Sequence, residues 1–325
     1  MASPFIGLEV EEELRPVAQL LAFDLDECLS SVVALEARIS DQALSARTLG
    51  TSRIGNATVI EPQGVLLTIG YLVTEAEEVI LTTVHGRRVQ AHVLGVDQAT
   101  GFGLIHALEP LGLPAIPLGD SRSIRPYDVL VSAGAGGAAH ALSGRLLARA
   151  PFAGYWEYLL EEALFVEPAH PHWSGAALIG PSGELLGVGS LRMEQLKAGG
   201  RVEPFNMFVP IELAPPIMED LARGRPGREA RPWLGVFAQE RDSRVVVLDV
   251  SPGSPASRAE LRQGDAILKI DGRSVRDLAS FYRRLWALGP PGVIVPLTLR
   301  RDGDVFDVEV RSADRVPMLK KPRLN

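Results

Sequence analysis

A serine in a glycine-containing turn is the residue of this chain best placed to act as a nucleophile. Ser174 stands in the stretch HPHWSGAALIGPSGELLGVGSL (170–191), before two short apolar runs separated by Pro-Ser-Gly, which is typical of a turn and a hairpin. A serine hydroxyl attacks a carbonyl only when a base removes its proton and a third group orients that base. Most serines in turns instead bond to nearby backbone. Ser174 is therefore either a working nucleophile or the remnant of one.

The chain offers histidines as possible bases for Ser174. His170 and His172 lie just before it, and they could form a rewired dyad, because side chains two residues apart share a face in extended backbone. We expect instead that they are exposed loop residues flanking Pro171. Zinc needs three or four ligands, and no second cluster accompanies this His-x-His pair, so we expect no metal and no other cofactor. The remaining histidines would have to approach through the fold: His85, His92, His106 and His140.

Composition narrows the classes of partner and compartment. The net charge of −7 gives no general attraction to nucleic acid or to anionic membranes, which favours peptides or proteins as partners. The single cysteine, Cys28, excludes an intrachain disulfide. The first residues are acidic where a signal peptide is basic, and no apolar run reaches membrane-spanning length. We therefore expect no membrane span and a cytoplasmic protein as written, or a periplasmic one if the start site is misassigned.

The elements that must position these residues are mostly strands. A helical pattern covers residues 11–29, and from residue 31 to about 213 short Val-, Ile- and Leu-rich runs alternate with turn residues, which indicates a β-sandwich or barrel. A helix ending at Gly224 and a charged linker follow, and then a unit that mixes strands with two helices, near 256–261 and 278–288. The domain prediction is a helical segment (1–30), a β domain (31–222), a linker (223–231), an α+β domain (232–312) and a flexible tail (313–325).

Four stretches, in this order, resemble the HtrA/Deg family, in which a trypsin-like double β-barrel protease precedes a PDZ domain. They are GNATVIEPQGVLLTIGYLV (55–73), GVDQATGFGLIHA (95–107), LPAIPLGDSRSIRPYDVLVSAG (113–134) and the stretch around Ser174. A fifth, RPWLGV with SPGSPASRAELRQGDAILKIDG, is similar to the family's PDZ domain. The resemblance implies a mostly β fold: a chymotrypsin/trypsin-like double β-barrel followed by an α+β PDZ domain.

The same resemblance implies a degenerate catalytic triad. Tyr71 stands at the position of the catalytic histidine, Gly101 at that of the aspartate, and Ser174 at that of the nucleophile. His172 replaces the glycine whose N–H normally lines the oxyanion hole. A tyrosine, with an ordinary pKa of about 10, is a poor base near neutrality. We expect a pseudoprotease; the alternative is a serine endopeptidase that uses Ser174 with an atypical base.

Two further features follow from the resemblance. Trp233, Leu234, Gly235 and Val236 match the PDZ loop that binds the carboxylate of a peptide C-terminus, so the expected partners are peptide or protein C-termini in protein quality control. The alternatives are a PDZ domain that packs on its own barrel and binds nothing, and a purely architectural role. Family members commonly form trimers, so a homo-oligomer is expected by resemblance only. We expect Tyr71 and Trp173 to fill the former cleft rather than to build a peptide groove.

Overall fold

The computed structural model describes residues 9–197, 199–225, 227 and 229–320. The chain divides into two compact units. The first contains Met1–Ala150, Glu162–Arg228 and Lys320–Asn325, and the second contains Pro151–Glu161 and Glu229–Leu319. Among the described residues there is no helix long and apolar enough to span a bilayer.

The first barrel is a closed set of six antiparallel strands in the order β1-β2-β3-β6-β5-β4. Leu66, Leu67, Leu104 and Ile105 on its strands are almost wholly buried. Consecutive strand residues point to opposite faces, so one of each pair fills the barrel interior and the other is covered on the outer face. The strands are β1 (Val32–Ile39), β2 (Ser52–Glu61), β3 (Val65–Ile69), β4 (Ala76–Thr82), β5 (Arg88–Val96) and β6 (Phe102–Ala107).

A second closed barrel follows in the order β10-β11-β12-β9-β8-β7. Leu130, Leu164, Leu178, Leu186 and Phe208 form part of its buried core. The two barrels confirm the mostly β, trypsin-like architecture. The strands are β7 (Leu130–Ala133), β8 (Ala141–Gly154), β9 (Tyr158–Glu167), β10 (Ala177–Ile179), β11 (Leu185–Leu196) and β12 (Val202–Pro210).

The helices of the first unit are short. They are α1 (Leu25–Ser30), α2 (Ala46–Leu49), α3 (Gly70–Val73) and α4 (Pro215–Ala222). The single helix expected over 11–29 is wrong: the segment forms two 3₁₀ turns, Glu12–Leu14 and Ala18–Leu20, before α1. Pro16 has no N–H to continue a helix, and Asp24 starts a new one by accepting a hydrogen bond from the Glu27 N–H at 3.0 Å.

The second unit is an α+β domain built on one sheet in the order β13-β14-β15-β17-β18, with β16 paired to β15. Strand β13 is therefore an edge strand. Helix α5 ends three residues earlier than expected, and Glu260 just after it takes φ of 57°, a conformation that glycine adopts more easily. The elements are β13 (Val236–Arg241), β14 (Arg244–Val250), α5 (Pro255–Arg258), β15 (Ala266–Ile270), β16 (Arg273–Ser274), α6 (Leu278–Ala287), β17 (Ile294–Arg301) and β18 (Asp304–Arg311).

Candidate active site and peptide-binding site

Tyr71 is carried by α3, a single helical turn that follows β3 without a loop. The Gly70 N–H donates to the Gly101 carbonyl at 2.6 Å, and a Cβ at Gly70 would lie only 3.0 Å from that oxygen. A Cβ at Gly103 would lie 2.9 Å from the Val73 side chain. These glycines therefore allow α3 to approach β6 closely, and the Tyr71 hydroxyl reaches residues of the second barrel.

The Tyr71 hydroxyl makes two hydrogen bonds that define the candidate active site. It lies 2.5 Å from Ser174 Oγ and 2.8 Å from the Ser190 carbonyl oxygen. A carbonyl only accepts, so the single phenolic proton goes to Ser190 and the Ser174 hydroxyl donates to the phenol oxygen. Desolvation of the hydroxyl raises the pKa of Tyr71 to about 12, against a smaller lowering by the bond to Ser174. The partner of the serine is thus a neutral phenol near neutral pH.

The aspartate position contributes backbone only. Gly101 has φ of 84°, and its N–H donates to the Asp97 carbonyl at 2.8 Å. The neighbouring carboxylate, Asp97, is buried and binds within its own turn: Oδ2 accepts from the Thr100 N–H at 2.8 Å and from Thr100 Oγ1 at 2.7 Å. The carboxylate nearest in sequence to the aspartate position is therefore used to hold the turn.

The backbone N–H at the oxyanion-hole position has an internal acceptor. His172 N–H donates to His170 Nδ1 at 3.0 Å, and the other ring nitrogen of His170 lies 2.9 Å from the His140 carbonyl. These partners assign the Nε2–H tautomer, and burial lowers the pKa of His170 to about 4, so the ring is neutral. The expectation that His170 and His172 are exposed loop residues is wrong, since their exposed fractions are 0% and 8%. Both nitrogens of His170 serve structural bonds.

Asn56 on β2 holds the serine turn, and sequence reasoning missed it. Its side-chain Nδ2 donates to the carbonyls of His172 and Ser174, both at 2.9 Å, and its Oδ1 accepts from the Ala135 N–H at 2.8 Å. Its own backbone N–H also donates to the Ser174 carbonyl at 2.8 Å. The signal available in the sequence was an asparagine within IGNATVI (54–60), the mostly apolar part of its strand, where a buried amide must find partners.

Gly175, after the serine, is fixed by a close approach to the same strand. It has φ of 72°, and its Cα lies so near the Asn56 carbonyl that a Cβ would collide with that oxygen. Its N–H donates to the Gly189 carbonyl at 2.8 Å. The residue after Ser174 must therefore be glycine, because the backbone passes too close to β2 for a side chain.

The predicted carboxylate-binding loop has the geometry of an anion nest. The N–H groups of Leu234, Gly235 and Val236 converge on one carboxylate, that of Glu157, with N–O distances of 3.1, 2.6 and 3.0 Å. Gly235 has φ of 82°, which a turn of this kind requires. Trp233 stands outside the nest, because its N–H donates to the Ala313 carbonyl at 2.9 Å. Sequence reasoning had not singled out Glu157.

Comparisons with known proteins agree with this architecture. A trypsin-like peptidase domain matches residues 55–188 and a PDZ domain matches residues 232–311. A probable periplasmic serine endoprotease DegP-like of Halomonas elongata is 24% identical over 277 residues, covering 80% of this chain and 56% of that protein. The serine endoprotease DegS of Escherichia coli K12 is 24% identical over 285 residues, covering 83% of this chain and 78% of that protein.

Solved structures share the fold. A serine endoprotease from Yersinia pestis superposes with a TM-score of 0.51 at 23% identity, covering 91% of this chain and 96% of that one. The HtrA-type protease AlgW with a tripeptide superposes with a TM-score of 0.52 at 22% identity, covering 92% and 97%. The chain spans a little over half the length of the Halomonas relative. With a trypsin-like double barrel, a PDZ domain after it and DegS and DegP homologues over most of its length, the chain belongs to the HtrA/Deg family.

Proposed function

We propose that this chain is a catalytically inactive HtrA/Deg homologue that binds peptides or proteins through its PDZ domain and acts as a regulator in protein quality control. The observation that carries the proposal is the bond of Ser174 Oγ to the Tyr71 hydroxyl at 2.5 Å. The Ser174 hydroxyl donates a hydrogen bond to the Tyr71 phenol, which stays neutral until a pH of about 12. Such a partner stabilises the hydroxyl rather than activating it.

The size of the expected loss supports inactivity. Removing a member of a Ser-His-Asp triad costs on the order of 10⁶-fold in rate, and losing one oxyanion-hole donor costs about 10²–10³-fold. Here the base position holds Tyr71, the aspartate position holds Gly101, and the His172 N–H is bonded to His170. The two penalties do not add fully, but the larger one alone reduces turnover to a level hard to detect.

The test is covalent labelling with a fluorophosphonate, which reacts with activated serines. The purified chain and its Ser174→Ala variant are incubated with the probe at pH 7 to 9, beside an active trypsin-like protease, and labelled protein is measured by mass spectrometry. We expect the folded chain to remain unlabelled and to leave casein uncleaved. Stoichiometric labelling that disappears in Ser174→Ala would overturn the proposal and favour an endopeptidase with an atypical base.

The binding half of the proposal rests on the three convergent N–H groups at 234–236. Backbone donors arranged in this way recognise a carboxylate, and an edge strand beside them can pair with an extended peptide. The proposed ligand class is a peptide ending in a free carboxylate. A trimer is proposed from family resemblance alone, and sedimentation equilibrium of the full chain tests it: a strict monomer at high concentration would remove that part and the architectural alternative with it.

A further inference from the structure

We propose that the peptide groove of the PDZ domain is occupied by a segment of the same chain, residues 151–161, with the side chain of Glu157 in the place of a ligand's terminal carboxylate. This proposal rests on the proposed function in one respect, since it assumes that the groove is a peptide-binding groove. It adds that the resting chain is self-liganded, and that an external C-terminus binds only by displacing this segment. We call residues 151–161 the internal ligand.

The first support is the carboxylate itself. Glu157 Oε1 accepts from the N–H groups of Gly235 and Val236, and Oε2 accepts from that of Leu234. Three donors in one nest satisfy a carboxylate as fully as the end of a peptide would. An external carboxylate therefore has no free donor among these three N–H groups while Glu157 is in place.

The second support is strand addition at the sheet edge. The Ala238 N–H on edge strand β13 donates to the Tyr155 carbonyl at 2.8 Å. Tyr155 precedes Glu157 by two residues, so a single extended segment offers both the side-chain carboxylate and a main-chain bond to β13. This combination of carboxylate capture and edge pairing is how a peptide C-terminus is recognised by strand addition.

The third support comes from helix α6, which forms the other wall of the groove. The Tyr282 hydroxyl donates to the Gly154 carbonyl at 2.7 Å and accepts from the Glu157 N–H at 3.2 Å. At the end of the internal ligand, Glu161 forms a two-point ion pair with Arg283 of the same helix, with N–O distances of 2.9 and 2.5 Å. The internal ligand is thus bonded both to the edge strand and to the helix.

The apolar pocket is filled from the same segment. Leu159 is only 6% exposed and belongs to one buried cluster with Leu234, Val236 and residues of α6, among them Phe281. A hydrophobic side chain beside a captured carboxylate is the feature that gives such grooves their specificity. Carboxylate, main-chain pairing and pocket side chain are all supplied by residues 151–161.

The backbone conformation of Glu157 is unfavourable for a glutamate, which indicates that the bonds of its carboxylate, and not its fit to the turn, explain its presence. Glu157 takes φ of 59°, a left-handed conformation that asparagine and glycine adopt at lower cost. Burial raises the pKa of Glu157 to about 7, opposed by the three N–H bonds and by the positive charge of Arg315. The Tyr282 hydroxyl, on α6, is the other titratable group that faces it. The bonds to the nest explain why a strained and desolvated glutamate lies in the turn between β8 and β9.

Self-occupancy makes a quantitative prediction for peptide binding. The apparent dissociation constant equals the intrinsic one divided by the fraction of molecules with an open groove. A variant that cannot bind the nest therefore binds external peptides more tightly. Glutamine replaces one accepting oxygen with an NH2 group, and asparagine is too short to reach the nest, so either variant leaves nest N–H groups without an acceptor. The affinity for external peptides is therefore expected to rise by at least tenfold.

The experiment measures binding of fluorescein-labelled octapeptides with a free C-terminal Val, Leu or Phe to the full chain by fluorescence anisotropy. Two variants remove the internal carboxylate: Glu157→Gln keeps its size, and Glu157→Asn suits the left-handed turn and so protects the fold. The matched control is Glu162→Gln, a nearby exposed glutamate. We expect both Glu157 variants to bind at least tenfold more tightly than the wild type and the control. Equal affinity in all four proteins would overturn the proposal and leave the peptide-binding function intact.

A second measurement does not depend on any peptide. Amide hydrogen exchange of the wild type should show slow exchange at Leu234, Gly235 and Val236, and both Glu157 variants should lose that protection, while Glu162→Gln should keep it. Fast exchange at these amides in the wild type overturns self-occupancy. Protection that depends on Glu157, with no peptide bound by any variant, supports the internal ligand and overturns the proposed peptide-binding function instead.

Discussion

Replacing Asn56 by alanine is expected to destabilise the barrel unit strongly. The amide bonds to the carbonyls of His172 and Ser174 and to the Ala135 N–H, all in the interior. The Ser174 carbonyl keeps its bond from the Asn56 backbone, so alanine leaves two buried groups without their partner. Each such group costs about 1–3 kcal/mol, which gives a loss of about 4 kcal/mol. For a unit of this size that corresponds to a fall in Tm of roughly 10 °C.

The same strand provides a matched control for Asn56→Ala. Thr58 lies two residues along β2 and is fully buried, and its hydroxyl has no hydrogen-bond partner within the described part of the chain. Thr58→Val replaces that hydroxyl with a methyl group of similar size, so it should be neutral or slightly stabilising. Differential scanning calorimetry and urea unfolding of the three proteins measure both changes. A loss below about 1 kcal/mol for Asn56→Ala, or an equal loss for Thr58→Val, would refute the assignment of Asn56 as the support of the serine turn.

Three more outcomes are expected. The double variant Tyr71→His, Gly101→Asp should cleave casein at least about 100-fold more slowly than an active trypsin-like protease, because the N–H at the oxyanion position stays bonded to His170; cleavage at a comparable rate would contradict this. Glu260→Gly should raise the free energy of unfolding by about 1 kcal/mol, since glycine accepts φ of 57° without strain, and an unchanged urea midpoint would count against that reason. The pKa of Glu157 is about 7 when its carboxyl group is bound in the nest and 4.5 when it is free. Protonation of Glu157 therefore favours its binding in the nest, and this binding weakens as pH rises from 4.5 to 7. Peptide affinity of the wild type should therefore rise by up to roughly 50-fold between pH 5 and 8, and a flat profile, or the same rise in Glu157→Gln, would exclude this coupling.

The order of motifs was enough to predict the double barrel and the PDZ domain. Turn residues and runs of β-branched residues fix strands locally, and the family pattern then aligns them. The expected helix over 11–29 does not form, although the segment has helical periodicity, because Pro16 has no N–H to continue a helix. Glu260 takes φ of 57°, a conformation that glycine adopts at lower cost and that the local sequence did not indicate.

The decisive contacts could not be read from the sequence because they join distant segments. Glu157 and Gly235 are 78 residues apart, and Asn56 and Ser174 are 118 apart, so no local pattern pairs them. The direction of the His172 N–H was equally hidden, since it depends on which tautomer and rotamer His170 adopts once its ring is buried. The sequence predicted which positions lack the usual catalytic side chains, and only the structure identified which neighbouring groups bond to the residues there.

Both sites of this chain obey one physical rule: polar groups arranged to hold a ligand are satisfied by the chain itself. The Ser174 hydroxyl bonds to Tyr71, and the N–H groups at 234–236 bond to Glu157. A buried donor left empty costs free energy in the resting state, so self-satisfaction stabilises the fold and weakens the site at the same time. The two cases differ in reversibility. The Tyr71 phenol does not act as a base for Ser174 near neutral pH, and no ligand group replaces it. The carboxylate of Glu157, in contrast, can be exchanged for a chemically identical group on a peptide. The proposed loss of catalysis and the proposed retention of binding therefore rest on the chemistry of the two internal partners.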